Sequence, residues 1–134
     1  MAGNPVAAVV ELLRPHVPGA RVYGGRLPRA EHAHMPREAV VVRAAGSPGT
    51  FGGGDLPTVD NRVDVRCYGA TELEAGDLAA ALGVVLHTVR EARTAHGRVL
   101  WIARSGGPTD VTEPDTTWPL TLTSWQVMGE WLAE

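Results

Sequence analysis

Asn61-Arg62-Val63-Asp64-Val65-Arg66-Cys67-Tyr68-Gly69, followed at once by Ala70 and Thr71-Glu72-Leu73-Glu74-Ala75, decides the fold of this chain. Successive side chains of a strand point to opposite faces, so Val63, Val65 and Cys67 share one side. Arg62, Asp64, Arg66 and Tyr68 share the other. Gly69 and Ala70 break the alternation. Thr71, with Glu74 three residues later, forms a capping-box signature, so a long amphipathic helix opens there. A half-buried strand with a charged outer face, joined directly to a helix, is scaffold geometry. That outer face is too polar for a core and too regular for a loop, and it must meet water or a partner.

Working downstream, the periodicity predicts a helix from Glu72 to about Ala92, with Leu78, Leu82, Val85, Leu86 and Val89 as its core stripe. Its opposite side holds Ala80, Gly83, Val84 and His87, small and weakly polar where a solvated helix usually carries Glu and Arg. Loops of the same chain or a second subunit would cover such a side. His96-Gly97 closes the helical region, and Val99 to Ala103 reads as a buried strand. Ser105 to Thr117 reads as a polar, acidic loop. Trp118 to Leu132 reads as the last strand. Its apolar residues Leu120, Leu122, Trp125, Val127 and Trp131 do not keep one phase, so a bulge or burial on both faces is expected.

Upstream, Asn4 as N-cap and Pro5 in the first turn open a helix with the stripe Val6, Val9, Val10 and Leu13, ended by Pro15 and Pro18-Gly19. Arg21 to Tyr23 reads as a short strand, Gly24 to Arg37 as irregular, and Ala39 to Arg43 as a β-branched central strand. Gly46 to Pro57 is a Gly- and Pro-rich loop that includes Gly52-Gly53-Gly54-Asp55, with Phe51, the only Phe, near its tip. A glycine-flanked aromatic there either folds back onto its own domain or orders on contact with a partner. The fold class that follows is α+β: a mainly antiparallel sheet of about five strands with two helices packed on one face, in a single domain over residues 1–134.

Composition narrows the function classes. A formal net charge of −3 argues against a general nucleic-acid binder. All 12 basic side chains counted as Lys or Arg are Arg. The single Cys, Cys67, excludes an intrachain disulfide and an all-cysteine zinc site, and it lies on the apolar side of its strand. No basic region precedes an apolar run at the amino terminus, and no continuous apolar run approaches a membrane span, so a cytosolic origin is expected. Residues 1–43 hold six Arg against Glu11, Glu31 and Glu38. Residues 105–134 hold Asp110, Glu113, Asp115, Glu130 and Glu134 with no base. Unlike ends of this kind arise by chance among solvated residues, or they suit head-to-tail association of copies.

Motifs that carry chemistry are sparse. Gly52-Gly53-Gly54-Asp55 lacks the Lys-Ser/Thr of a phosphate loop. His32-Ala33-His34, with Glu31 or Glu38, offers metal-ligand types without helical ligand spacing, and solvated histidines are expected. Asp110, Glu113 and Asp115 lack calcium-loop spacing. No Gly-x-Ser-x-Gly elbow occurs. Trp101, Trp118, Trp125 and Trp131 sit in or beside strands, where core packing is the expectation. No enzyme activity, metal or cofactor is expected.

The helix led by Asn4-Pro5, the strands flanking the loop at 46–57, the junction Val63-Asp64-Val65-Arg66-Cys67-Tyr68-Gly69 into Thr71-Glu72-Leu73-Glu74-Ala75, and the Trp-bearing Ser124-Trp125-Gln126-Val127-Met128 together resemble the tail terminator, or tail completion, proteins of long-tailed bacteriophages and related tail-like particles. The resemblance spans nearly the whole chain in length and element order. It implies an α+β protomer in a homo-hexameric ring that sits on the last ring of the tail tube, ends tube growth and offers the surface that joins the head. The implied partners are further copies of the chain, the tail tube protein and a head–tail connector or stopper, with DNA passing through the ring without sequence-specific contact. The implied location is the neck end of the tail, after synthesis in the host cytoplasm. On this reading the candidate interface residues are Arg62, Asp64, Arg66, Tyr68, Phe51, Asp55 and His87. Another neck protein, or a small metal- or ligand-binding enzyme using His32, His34 or the acidic stretch, stands as the alternative.

Overall fold

A computed structural model describes residues 4–45, 58–112 and 116–131. Its frame is a six-stranded sheet in the order β1-β2-β3-β6-β5-β4, built from β1 (Val22–Gly24), β2 (Ala39–Ala44), β3 (Thr58–Tyr68), β4 (Arg90–Thr94), β5 (Gly97–Thr112) and β6 (Pro119–Trp131). The β1–β2 pairing is parallel and the other four are antiparallel. Three helices join it: α1 (Pro5–Leu13), the single turn α2 (Arg29–His32) and α3 (Glu72–His87). The protein is α+β, with one strand more than the sequence reading counts.

The caps follow from side-chain chemistry. Asn4 Oδ1 accepts from the Val6 and Ala7 amides at 2.9 and 3.3 Å, and Pro5 occupies the first turn, where no N–H is required. Thr71 Oγ1 accepts from the Glu74 amide at 3.1 Å, while the Glu74 carboxylate reaches back to the Ala70 amide, also at 3.1 Å. Gly69 makes the strand-to-helix step tight. A Cβ there would lie 2.5 Å from the Ala75 nitrogen, so a side chain would push the helix off the strand.

One core fills the side of the sheet where α1 and α3 lie. Val9, Val10 and Leu13 from α1 and Leu78, Ala79, Leu82 and Leu86 from α3 join Val63, Val65, Cys67, Trp125 and Val127 in a single buried cluster. A second, smaller cluster lies on the opposite sheet face and holds Leu27, Ala39, Val41, Tyr68 and Leu120, with Tyr23, Met35, Val111, Trp118 and Leu122 against it. The mixed phase of β6 is thereby explained: Leu120 and Leu122 serve the second cluster, Trp125 and Val127 the first. Both faces are buried at this end, and the bulges sit on the partner strand β5.

Two boundaries differ from the sequence reading. The helix predicted to reach Ala92 ends at His87, and Arg90–Thr94 is the edge strand β4. Thr88 Oγ1 donates to the Val85 carbonyl at 2.9 Å, and Arg90 Nη1 donates to the His87 and Val89 carbonyls at 3.1 and 2.6 Å, which satisfies the helix end. Val89 remains buried as the link into the hairpin, so it keeps the helical spacing without being helical. Likewise residues 105–112, expected as loop, continue β5. Their amides pair with β6 from Ser124 to Pro119, and register shifts around Gly106 absorb the Gly-Gly-Pro step.

Candidate functional site

Two surfaces flank the scaffold, and they differ in kind. The first is the helix-free face of the sheet beyond the small cluster. Register places Arg43, Asp64, Ser124 and Gly106 in one cross-strand row and Arg62, Gln126 and Ala103 in the next. Arg62 is exposed and Asp64 and Arg66 are half-buried on this face, on the side the alternation assigns them. Asp64 accepts a 2.7 Å hydrogen bond from Ser124 Oγ, which fixes its carboxylate along the sheet. Further along, Arg98 and Glu130 form an ion pair across β5 and β6, opposite Arg93 of β4.

Tyr68, grouped with these charges by its position in the strand, behaves differently. It is 3 % exposed and packs edge-on to Trp118 with ring centroids 6.3 Å apart. It belongs to the second cluster because the segment carrying Leu27 and α2 folds over this end of the sheet. As an open contact residue it is a correction to the sequence reading.

The second surface is the outer side of α3. Leu73, Asp77, Ala80, Val84 and His87 are all exposed, and they fall at i, i+4, i+7, i+11 and i+14, one continuous stripe. Leu73 is 75 % exposed and Val84 67 %, the large apolar side chains most open to solvent among the described residues. His87 ends the stripe, its ring edge-on to buried Trp125 at 5.6 Å. Gly83, expected on this outer side, is buried instead: a Cβ would lie 2.9 Å from Arg104 Nη2 and 3.7 Å from the Trp125 ring. Arg104 lies over that same ring at 5.2 Å, a cation–π contact that closes the gap beside the helix. Leu73 was overlooked in the sequence because it sits in the capping turn; counting four residues on from it to Asp77 and seven more to Val84 finds the stripe.

The histidine and carboxylate candidates are placed as follows. His32 and His34 are exposed, and His32 stacks edge-on against Trp118 at 5.3 Å. Glu31 is buried, accepting from Arg37 Nε at 2.7 Å and from the Tyr23 hydroxyl at 3.3 Å. The Arg37 hydrogen bond is the main force holding its carboxyl below the usual range, while burial and the neighbouring Glu31 charge push the Tyr23 phenol up. Asp110 accepts from Thr121 Oγ1 at 3.2 Å on the α3 side of the sheet. Among the described residues no group of three His, Cys, Asp or Glu side chains converges on a common point. Burial pushes the Cys67 thiol up to about 12, so it stays protonated and inert. Phe51, Asp55, Glu113 and Asp115 lie outside the described residues. No described helix is long and apolar enough to cross a membrane.

Compared with protein-family models and with curated protein sequences, the chain matches none.

Proposed function

We propose that this chain is a structural protein of a tail or tail-like particle, which caps the tail tube as an oligomeric ring, ends tube polymerisation and offers the surface that joins the head. The observation that carries the reading is the exposed stripe Leu73–Asp77–Ala80–Val84–His87 on a helix whose other side is already buried. Leu73, Ala80 and Val84 leave apolar side chains open along one line of the helix, interrupted by Asp77, and this line is the contact surface of the reading. The helix-free sheet face on the far side of the molecule carries Arg43 and Arg62, while the α3 amino-terminal end carries Glu72 and Asp77. Two unlike, complementary surfaces on one protomer favour heterologous, head-to-tail contacts, and these close into a ring when the rotation fits. A tube end that holds several copies together then strengthens each weak contact through effective concentration. The resemblance to tail terminator proteins names the structure that such a ring would close.

The experiment is electron microscopy of the protein alone and mixed with the cognate tail tube protein, for the wild type and for Leu73→Glu with Val84→Glu. Both side chains are exposed, so the double variant keeps its fold and its circular dichroism spectrum. Rings that cap tube ends, lost in the double variant, support the reading. A wild-type protein that stays monomeric and ignores tubes overturns it. Rings that ignore tubes and bind a connector instead would make it another neck protein.

A further inference from the structure

The charges along α3 are arranged by sign. Glu72 and Asp77 are exposed in its first half, and His87 is exposed at its end. Arg90 follows directly and donates to the His87 carbonyl at 3.1 Å. Arg104 comes in from β5 beside Gly83, held over the Trp125 ring at 5.2 Å. Both arginines are exposed. An acidic start and a basic end suit the dipole of the helix itself. They also make the outer side of α3 complementary to its own reverse. Ala80 stands at the middle of that side, with Leu73 seven residues before it and His87 seven residues after, about 10 Å each way at the helical rise. Ala80 is small and exposed, with exposed Ala81 beside it, so a second helix can approach closely at this point.

We propose that, away from a tube, the outer side of α3 is covered by the same side of a second copy, the two helices antiparallel about a two-fold axis at Ala80. In this arrangement each Leu73 lies against Val84 and His87 of the second copy, and Ala80 lies against its own counterpart. Leu73 and Val84, 75 % and 67 % exposed in the single chain, are both covered. The acidic first half of one helix runs beside the basic end of the other, and the axis repeats that contact. A parallel arrangement would instead set Glu72 and Asp77 against their own counterparts, where like charges repel. The charge pattern therefore selects both the occupant, a copy of the same chain, and its direction. Two crossed helices bury less than a standard interface, so the pair is weak and depends on concentration. Its role rests on the capping reading: the pair closes the contact surface until a tube end offers several copies at once.

The test is sedimentation of the full chain from about 10 to about 500 μM, with crosslinking as a second readout. The wild type is compared with Glu72→Arg combined with Asp77→Arg, with His87→Glu combined with Arg90→Glu, and with an equimolar mixture of the two double variants. All four residues are exposed, and circular dichroism checks that the fold is kept. The expected result is a wild-type dimer whose population rises with concentration, weakened about tenfold or more in each double variant and recovered in the mixture, where opposite charges face each other again. Ala80→Cys is expected to join two copies through a disulfide on mild oxidation, because the axis brings the two Cα atoms within bonding reach. Thr88→Cys, eight residues from the axis, stays single. Native Cys67 is buried and takes no part. A wild type that is monomeric throughout this range overturns the proposal and leaves the stripe to a partner of different sequence. So does a dimer that both double variants keep, or one that Ala80→Cys fails to link. Electron microscopy with tubes reads capping separately. Tubes left uncapped by a chain that pairs at Ala80 strike the capping reading alone, and tubes capped by a chain that is monomeric in solution strike the pair alone.

Discussion

The two faces of the sheet solve the same problem with unequal means. On the helix side, α1 and α3 lay apolar stripes on β2, β3, β5 and β6, and one cluster runs from Leu13 to Trp125. On the other side a single crossing segment, with one turn of helix, covers only the end near Tyr68 and Leu120. The remainder of that face carries exposed Arg62 and half-buried Asp64 and Gln126. The first face supplies stability. The second is held together by a smaller set of buried apolar residues.

Breaking the strong side should have the largest effect. Trp125 is 1 % exposed, donates its indole N–H to Thr123 Oγ1 at 2.9 Å and lies beneath both His87 and Arg104. Trp125→Ala is expected to cost about 3–5 kcal/mol, a large fraction of a domain's whole stability. Urea unfolding followed by far-ultraviolet circular dichroism measures it. Leu120→Ala does the same on the weaker side, where the cover is one short segment. Its expected cost is about 2 kcal/mol, at the bottom of the range for buried Leu, because that segment can settle into the space. If the two variants unfold at the same urea concentration, the faces are equals and the contrast fails.

The same contrast explains what was legible in the sequence. The helix side follows from periodicity alone: Asn4-Pro5, Thr71–Glu74, the α1 stripe and the inward positions of β3 all lie where spacing puts them. The other side was harder to read. Tyr68 alternates with Arg62, Asp64 and Arg66, yet it is buried, because the decision is made by residues 27–35 folding back across the sheet from far away in sequence. Val89 kept a helical spacing while leading into a hairpin, and Ser105-Gly106-Gly107-Pro108 looked like a loop while continuing a strand. In both places the partner strand overrides local composition.

Glu31 gives the finest test of how the weak side is fastened. Its carboxylate ties Arg37 and Tyr23 together beneath the crossing segment, and Arg21 is the other charge that acts on it. Arg37 is 38 % exposed at its side chain, so solvent screens part of the attraction. Glu31→Gln is therefore expected to cost about 1–2 kcal/mol at neutral pH, the scale of a hydrogen bond to a charged group. The folded-state pKa of Glu31 is depressed relative to the unfolded chain. Its contribution is then fully present above the ordinary glutamate value of about 4.3 and is lost as pH falls through the lower folded value. The stability gap between wild type and Glu31→Gln should stay constant from neutral pH down to about 5 and close below about 4. Urea titrations at a series of pH values read it directly. A gap that persists unchanged at pH 3 would mean that packing, and not the charge on Glu31, holds the segment to the sheet.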